Sequence, residues 1–337
     1  MPQIEARQLT KNFRSAVKGP GVAGALYHLF APRHEDKLAV DRLDLTIEAG
    51  ETVAYVGPNG AGKSTTIKML TGILVPSGGE VSVNGLVPHR RRIQNASGIG
   101  VVFGQRTQLW WDLSVRDSLE LQRKIYGVSD ADYRATLARF TEMLGLGEFL
   151  HLTARKVSLG QRMRADLAMA LLHNPRIVYL DEPTIGLDLT AKECIRAFLK
   201  ELNRERGTTI MLTTHDLVDM EEICRRIVII DKGRKIFDGG LEEMKDRFAR
   251  ERAIRFQLQA PLGDITTRLA ALPAVTTEAE GERRFTLRFD RFQHSAAALT
   301  REVMNHATVV DFHIEEPSIE AVIRQVYAGT LLGGGLT

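Results

Sequence analysis

Short apolar runs alternate with helical spacings over about the first 240 residues of the chain. Strand patterns occupy residues 44–48, 52–56, 80–84, 99–103, 177–180, 208–212 and 226–230. Between them, apolar residues recur at helical spacing in two segments, at Ile67, Leu70 and Leu74 and at Met163, Leu167, Ala170 and Leu171. Strands that alternate with helices predict an α/β domain with a substantially parallel sheet.

A hairpin ends this domain, and a different pattern follows. Residues 227–231 and 234–237 flank a Lys232-Gly233 turn, and the hairpin stops at Gly239-Gly240. We predict a linking helix at 241–253 and a small α+β accessory domain at 254–330. Its elements, at 254–259, 262–272, 275–279, 284–289, 295–305 and 308–314, follow the β-α-β-β-α-β order of ferredoxin-like folds, with a last helix at 318–327. The glycine-rich residues 331–337 are typical of a flexible tail.

Composition limits the class of protein. The 337 residues carry 45 Lys and Arg and 42 Asp and Glu, a formal charge of +3 that is mixed along the chain. Nucleic acid is therefore not expected as a partner. Two isolated cysteines, Cys194 and Cys224, indicate a reducing compartment. The apolar stretch 22–32 is far short of the ~20 residues that cross a bilayer, so we expect a soluble cytoplasmic protein that reaches a membrane through a partner.

The strongest chemical signal is a complete P-loop. A predicted strand runs into the loop and a helix is expected from Lys63, so backbone amides and a helix N-terminus converge on one anion. We expect Lys63 to reach the β- and γ-phosphates of a nucleotide and the Ser64 hydroxyl to bind Mg²⁺. The expected nucleotide contacts are Gly57, Pro58, Asn59, Gly60, Ala61, Gly62, Lys63, Ser64 and Thr65.

A second signal is the pair of carboxylates that ends the strand at 177–180. Asp181 is suited to hold the metal, through water, and Glu182 is suited to polarise an attacking water. Acidic residues at a strand end are common in solvated turns, so the pair gains its meaning from the P-loop upstream.

Further motifs follow in fixed order after the P-loop. They are Phe103-Gly104-Gln105, Val157-Ser158-Leu159-Gly160-Gln161-Arg162, Asp181-Glu182-Pro183, Gly186-Leu187-Asp188 and Thr214-His215-Asp216. With the P-loop, this series resembles the ABC-type ATPases over residues 1–240. The resemblance implies a P-loop NTPase fold with a mixed sheet and a helical subdomain at about 106–173.

The resemblance also implies roles for residues in these motifs. The cofactors are ATP and Mg²⁺, and Gln105 joins Ser64 and Asp181 at the metal and signals its state to a membrane partner. His215 contacts the γ-phosphate, and Phe13 stacks on adenine. Nucleotide contacts are also carried over to Ser158, Gly160, Gln161 and Asp188.

The segment that opens at Ser158 offers a second helix start to an anion, through a hydroxyl and the Gly160 amide. Two such starts on one chain make sense if the second serves another molecule's nucleotide. By resemblance this is a head-to-tail dimer, either of two copies or with a similar ATPase. Leu159 stands where the family usually has glycine, which leaves the hydrolysis rate open.

Residues 105–112 and 158–164 resemble the ATPase subunits of ABC-2-type exporters. Trp110 and Trp111 are either exposed anchors for a transmembrane permease subunit or ordinary core residues. Residues 14–37 form a longer stretch than the usual loop there. It is either a partner or membrane-surface contact or, as we favour, a small helix packed on its own domain, with Leu26, Leu29 and Phe30 near helical spacing.

The leading hypothesis is an ATP-hydrolysing motor subunit, peripheral on the cytoplasmic face of the cell membrane, that drives a separate permease. One alternative is an importer ATPase whose tail senses the solute. The others are a soluble ABC ATPase without a permease and a scaffold that binds nucleotide without turnover.

Overall fold

The computed structural model describes residues 2–17, 33–104, 106–248 and 251–315. The chain divides into two compact units, Met1–Gly239 and Gly240–Thr337. Across the described residues, no helix combines the length and apolar character that a bilayer crossing requires.

In the described residues of the first unit, nine strands form two sheets. They are β1 Ile4–Val17, β2 Arg33–Ile47, β3 Thr52–Val56, β4 Gly78–Val83, β5 Ile99–Phe103, β6 Ile177–Asp181, β7 Thr209–Thr213, β8 Arg226–Asp231 and β9 Arg234–Gly240. The larger sheet has the order β5-β6-β7-β3-β8-β9, and its strands from β5 to β8 pair in parallel. The smaller sheet, β2-β1-β4, is antiparallel.

Seven α-helices of the described part of the chain accompany these sheets. They are α1 Lys63–Leu70, α2 Arg92–Ser97, α3 Val115–Tyr126, α4 Asp130–Leu144, α5 Leu159–Leu171, α6 Leu189–Arg206 and α7 Leu217–Ile223. Side chains set several of their limits. Ser114 and Ser129 cap α3 and α4, and glycines in the left-handed region end both helices at Gly127 and Gly145.

Helix α1 is buried in the core that the two sheets share. Ile67, Met69 and Leu70 are fully buried there, and the Tyr55 hydroxyl of β3 bonds the Thr66 hydroxyl at 3.1 Å. The apolar spacing predicts a helix as far as Leu74, and this prediction is wrong for the last residues. The helix ends at Leu70, because Gly72 adopts a positive φ of 78° and turns the chain.

The parallel strands bring three chain segments to one edge of the larger sheet. β3 ends at Val56 before the P-loop, β6 ends at Asp181, and β7 ends at Thr213. In register, Asp181 lies opposite Thr213 on the neighbouring strand. The carboxyl ends of adjacent parallel strands are where open α/β sheets bind ligands.

The stretch at 14–37 is not simply a long loop. Strands β1 and β2 extend into it, so Arg14 pairs with Asp36 and Val17 with Arg33. The predicted strand at 44–48 is therefore only the end of a 15-residue strand. The candidate helical residues Leu26, Leu29 and Phe30 lie outside the described residues.

The hairpin predicted at the end of this unit is present as β8 and β9. Lys232 and Gly233, with φ of 47° and 79°, form its two-residue turn. Two positive φ values are the signature of a type I′ turn, whose twist matches that of the flanking strands.

The second unit begins with α8 Leu241–Phe248 and has its own four-stranded sheet. Its other elements are β10 Glu251–Leu258, α9 Ile265–Ala270, β11 Val275–Ala279, β12 Arg284–Asp290, α10 Ala296–His306 and β13 Val309–Glu315. The antiparallel strand order is β11-β12-β10-β13, and residues such as Phe256, Phe285 and Leu299 form the core.

Several helix and strand boundaries in this unit differ from those that the sequence pattern predicts. β10 starts at Glu251, so residues 251–253 belong to a strand and not to the linking helix. α9 is shorter than 262–272, although Leu262 and Leu272 at its flanks still pack against the core. The predicted helix at 318–327 and the tail at 331–337 lie outside the described residues.

Candidate functional site

At Gly57 and Gly62 the P-loop folds so close to neighbouring backbone that a side chain has no room. A Cβ on Gly57 would lie 2.4 Å from the Ile230 carbonyl oxygen, and one on Gly62 would lie 2.4 Å from the Ala39 carbonyl oxygen. Gly62 also has a φ of 108°, which L side chains rarely adopt. Helix α1 starts directly after it, and no side chain caps this start. Its first-turn amides therefore face the loop without a side-chain acceptor.

Lys63 is the first residue of α1 and is 7% exposed. Its Nζ donates to the carbonyl oxygens of Gly57 at 2.5 Å and Pro58 at 3.3 Å. Burial lowers the pKa of this ammonium, and the carboxylates of Glu182 and Asp181 act in the opposite direction. A partly desolvated ammonium attracts phosphate more strongly than a hydrated one does, because water screens its charge less.

Asp181 joins the P-loop to the end of β7. Its Oδ2 accepts from the Ser64 hydroxyl at 3.0 Å, and its Oδ1 accepts from the Thr213 hydroxyl at 2.5 Å. Hydroxyl and carboxylate oxygens are the hard ligands that Mg²⁺ takes from proteins, beside phosphate and water. The sequence pattern did not identify Thr213, because its position opposite Asp181 depends on which strands pair.

Glu182 occupies a strained backbone position next to His215. Its φ is 54°, and its N–H donates to the Thr213 carbonyl oxygen at 2.9 Å and hydroxyl at 3.2 Å. The Glu182 Oε1 and His215 Nε2 atoms are 3.1 Å apart. A left-handed conformation before Pro183 costs about 1–3 kcal/mol, and such strain concentrates at functional sites.

A buried ion pair fixes the segments that carry Glu182 and His215. Asp219 is fully buried and accepts from Arg196 Nε at 2.6 Å, from the Thr184 hydroxyl and from the Thr214 hydroxyl at 3.3 Å. Thr184 follows Glu182 by two residues, and Thr214 precedes His215. One carboxylate thus holds both segments in place, a role that sequence spacing gave no reason to expect.

The second helix start is built differently from the first. The Ser158 hydroxyl accepts from the Gln161 N–H at 3.2 Å, and the Gln161 side chain accepts from the Ser158 N–H at 2.9 Å. This capping box satisfies two backbone donors and leaves the Ser158 O–H proton available. Leu159 is 45% exposed at the first helical position.

Asp188 caps α6, where its Oδ1 accepts from the Ala191 N–H at 2.8 Å. Phe13 is half-buried on β1 opposite Lys37, and the Lys11 ammonium lies 5.2 Å from its ring centroid. Gln105 lies outside the described residues.

The tryptophans are exposed, which removes the interpretation that they are core residues. Trp110 is 38% and Trp111 54% exposed. The Arg162 guanidinium lies 5.1 Å from the Trp111 ring centroid, so this ring also contacts the helix that starts at Ser158.

Comparisons with known proteins identify the fold and the family. The ABC transporter family profile matches residues 40–185. The ABC transporter ATP-binding protein NatA of Bacillus subtilis (strain 168) is 32% identical over 206 residues, which cover 61% of this chain and 83% of that protein. The chain belongs to the family of ABC transporter ATP-binding proteins. This confirms the resemblance read from the motifs, and the chain is an ABC ATPase.

Other relatives of this ABC ATPase have names from export and resistance. The Nod factor export ATP-binding protein I of Burkholderia thailandensis is 39% identical over 208 residues, 61% of this chain and 67% of that protein. The linearmycin resistance ATP-binding protein LnrL of Bacillus subtilis (strain 168) is 27% identical over 298 residues, 88% of this chain and 95% of that protein.

A dimeric ATP-binding cassette, solved in a post-hydrolysis state with ADP and Pi, has the fold that the motifs predict for the first unit. It superposes with a TM-score of 0.59 at 28% identity and covers 71% of this ABC ATPase and 98% of its own chain. The P-loop NTPase fold of the ABC type is thereby confirmed.

Proposed function

We propose that the chain is the ATP-hydrolysing motor subunit of an ABC-2-type exporter and drives a separate transmembrane permease through ATP-dependent dimerisation. The observation that carries this proposal is the meeting of Lys63, Ser64 and Asp181 with the Glu182–His215 pair at one edge of a parallel sheet. Each group has the chemistry that one part of a bound ATP needs.

The P-loop residues bind the triphosphate of ATP. The uncapped start of α1 offers backbone amides to the phosphates, and Lys63 exchanges its contacts with Gly57 and Pro58 for phosphate oxygens. Ser64 and Asp181 would hold Mg²⁺, with Gln105 as the third protein group. The metal supplies positive charge that stabilises the transferring phosphoryl group. Phe13 stacks on the adenine ring.

Glu182 and His215 carry the hydrolytic step. Glu182 orients and polarises the attacking water, and its strained backbone directs the carboxylate away from ordinary strand geometry. His215, which lies 3.1 Å from that carboxylate, donates towards the γ-phosphate. The Asp219 network keeps both segments in register during the reaction.

The second helix start serves the nucleotide of a partner ATPase, which is a second copy or a similar subunit. Ser158 donates its free hydroxyl proton, and Gly160, Gln161 and Asp188 complete the contact. The relation to a cassette that was solved as a dimer supports this arrangement.

Export is the direction that the relatives favour, since one acts in Nod factor export and another in linearmycin resistance by their names. The chain would then lie on the cytoplasmic face of the cell membrane, bound to permease subunits. The exposed Trp110 and Trp111 are the proposed contact with the permease.

The Glu182→Gln variant tests the hydrolytic assignment. We expect ATP binding to be retained and steady-state ATP hydrolysis to be nearly abolished, because an amide cannot act as a base. If the variant still hydrolysed ATP, Glu182 would not be the base that polarises the attacking water. Wild-type protein that binds ATP but never hydrolyses it would contradict the motor function as a whole.

The same variant tests the partner. Trapped with ATP and Mg²⁺ in gently solubilised membranes, it should co-purify with polytopic permease subunits in stoichiometric amount. Recovery of ribosomal or DNA-bound proteins instead would contradict a transport function, and a permease of the import class would reverse the direction.

A further inference from the structure

Asp166 is a buried carboxylate in the middle of α5. It is 3% exposed, and its Oδ1 accepts from the Thr107 hydroxyl at 2.9 Å and from the Gln108 N–H at 2.7 Å. The Thr107 hydroxyl oxygen accepts in turn from the Leu109 N–H at 3.1 Å. Three consecutive residues, beginning two positions after Gln105, are thereby tied to one side chain of α5.

The other side of this loop is tied to the hydrolytic centre. The Gly104 N–H donates to the Asp181 carbonyl oxygen at 2.8 Å. A Cβ on Gly104 would lie 2.4 Å from the Glu182 carbonyl oxygen, so the loop presses directly on the backbone of both acidic residues. A shift of Asp181 or Glu182 therefore displaces the start of the loop.

Helix α5 connects Asp166 to the second phosphate-facing helix start. Asp166 follows Ser158 by eight residues, about 12 Å of helix at 1.5 Å per residue. Its neighbours Ala165, Leu167 and Ala168 are fully buried, so this part of α5 is closely packed. Gln105 lies outside the described residues. On one side of it Gly104 contacts Asp181, and on the other side Thr107 contacts Asp166 on the helix that begins after Ser158.

The carboxylate at this position is costly to the fold. Burial raises the pKa of Asp166 to about 6, although hydrogen bonds from Gln108 and Thr107 and the charge of Arg162 oppose the rise. The loop contributes uncharged donors, and Arg162 is the cation on the helix side. An asparagine of the same shape would avoid the burial of charge. The carboxylate thus gives stronger, charge-assisted bonds to the loop at the expense of stability.

We propose that Asp166 is the positioning residue that links the state of the subunit's own ATP site to its second helix start, which serves the partner's ATP. This inference about Asp166 rests on the proposed function. The carboxylate holds residues 107–109 against α5 through hydrogen bonds. A shift of the backbone at Asp181 and Glu182 then displaces α5, and with it Ser158, instead of only changing the conformation of the loop.

Three variants of the full chain test this role: Asp166→Asn, Thr107→Val and their combination. Asp117→Asn, in the same helical region and bonded to its own cap Ser114, is the matched control. For Asp166→Asn we expect kcat for ATP to fall about 2- to 30-fold, the usual range for a coupling residue. Affinity of the isolated chain for ATP should be unchanged, and the melting temperature at pH 7.5 should not be lower than that of the wild type.

Two further readouts separate positioning from a structural role. The ratio of wild-type to Asp166→Asn kcat should approach one as the pH falls below about 6, where the wild-type carboxyl is neutral as well. The Thr107→Val and Asp166→Asn effects should be less than additive, because the first removes and the second weakens the same hydrogen bond.

An Asp166→Asn variant with wild-type kcat would overturn the inference while leaving the motor function intact, provided that Glu182→Gln still abolishes turnover. If Asp166→Asn lowered both the melting temperature and the affinity for ATP, Asp166 would have a structural role only, and the inference would also be overturned. Absence of any hydrolysis by the wild type would instead contradict the proposed function itself.

Discussion

Two helix starts of the first unit, those of α1 and α5, are the ones that we propose bind phosphate, and they differ in how their first-turn backbone amides are capped. At α1, glycine occupies the cap position with a φ of 108°, and no side chain bonds the first-turn amides. At α5, Ser158 and Gln161 bond each other's backbone in a capping box. The same element of secondary structure is therefore left open in one place and closed by its own side chains in the other.

The difference matches the two tasks proposed above. An open start binds phosphate with its backbone amides and is incomplete without a ligand. A closed start is stable alone and contributes a hydroxyl proton to a ligand that arrives from outside. The first helix start is suited to hold its own nucleotide continuously, and the second is suited to meet a partner's nucleotide only transiently.

The largest effect is expected at the open start. Lys63→Ala should lower ATP hydrolysis about 100- to 1,000-fold, the usual loss when a preorganised donor to the reacting group is removed. The melting temperature should not fall, because Lys63 is a desolvated cation that bonds only two carbonyl groups. Activity assays and thermal unfolding of the same preparation test this, and a marked loss of stability would mean that the lysine serves the fold.

A smaller effect is expected from pH at the closed helix. The raised pKa of Asp166 means that the folded chain binds more protons than the unfolded chain between about pH 4 and 6. Relative to Asp166→Asn, wild-type stability should therefore decrease by about 2–3 kcal/mol as the pH rises through this window. Unfolding of both proteins at several pH values gives the difference, and parallel curves would contradict the burial of a charged Asp166.

Removal of the cap at α5 should have a still smaller effect on stability. Ser158→Ala should cost about 1 kcal/mol, as loss of an N-cap does elsewhere, and should also lower hydrolysis by the dimer without changing ATP binding to the isolated chain. Ser129→Ala removes an equivalent cap from α4 and serves as the control, with the same loss of stability and full activity. If Ser158→Ala and Ser129→Ala had equal ATPase activity, the Ser158 hydroxyl would have no part in catalysis.

The smallest effect concerns Leu159, which stands where the family usually has glycine. Its side chain is 45% exposed, so Leu159→Ala should change stability by less than about 0.5 kcal/mol. We expect turnover to change less than about twofold, because one exposed methyl-rich side chain forms few fixed contacts. A large gain in turnover would show that the leucine restrains the closed dimer.

The local parts of the site could be predicted from the sequence. The P-loop, the strand that ends at Asp181 and the capped start at Ser158 each depend on residues close together in the chain. Spacing and turn chemistry carry such information, since the same few residues form the strand, the loop and the helix start.

The long-range parts could not be predicted. Thr213 bonds Asp181 only because β6 and β7 are neighbours, and Asp219 reaches Thr184 only because α7 packs beside that loop. Asp166 looked like any polar residue on a helix, and its burial depends on the loop at 107–109. Strand order and packing decide these contacts, and neither leaves a periodic mark in a single sequence.

The close approach of backbone around Ala39 has a consequence for the thermodynamics of nucleotide binding. The Ala39 carbonyl oxygen blocks a Cβ at both Gly62 and Gly233, and the Gly233 N–H donates to the Ala61 carbonyl oxygen. The P-loop is therefore ordered when the chain folds, and the ~1–2 kcal/mol of conformational entropy per residue is lost then. An ordered phosphate receptor spares ATP binding most of the entropy cost of ordering the loop.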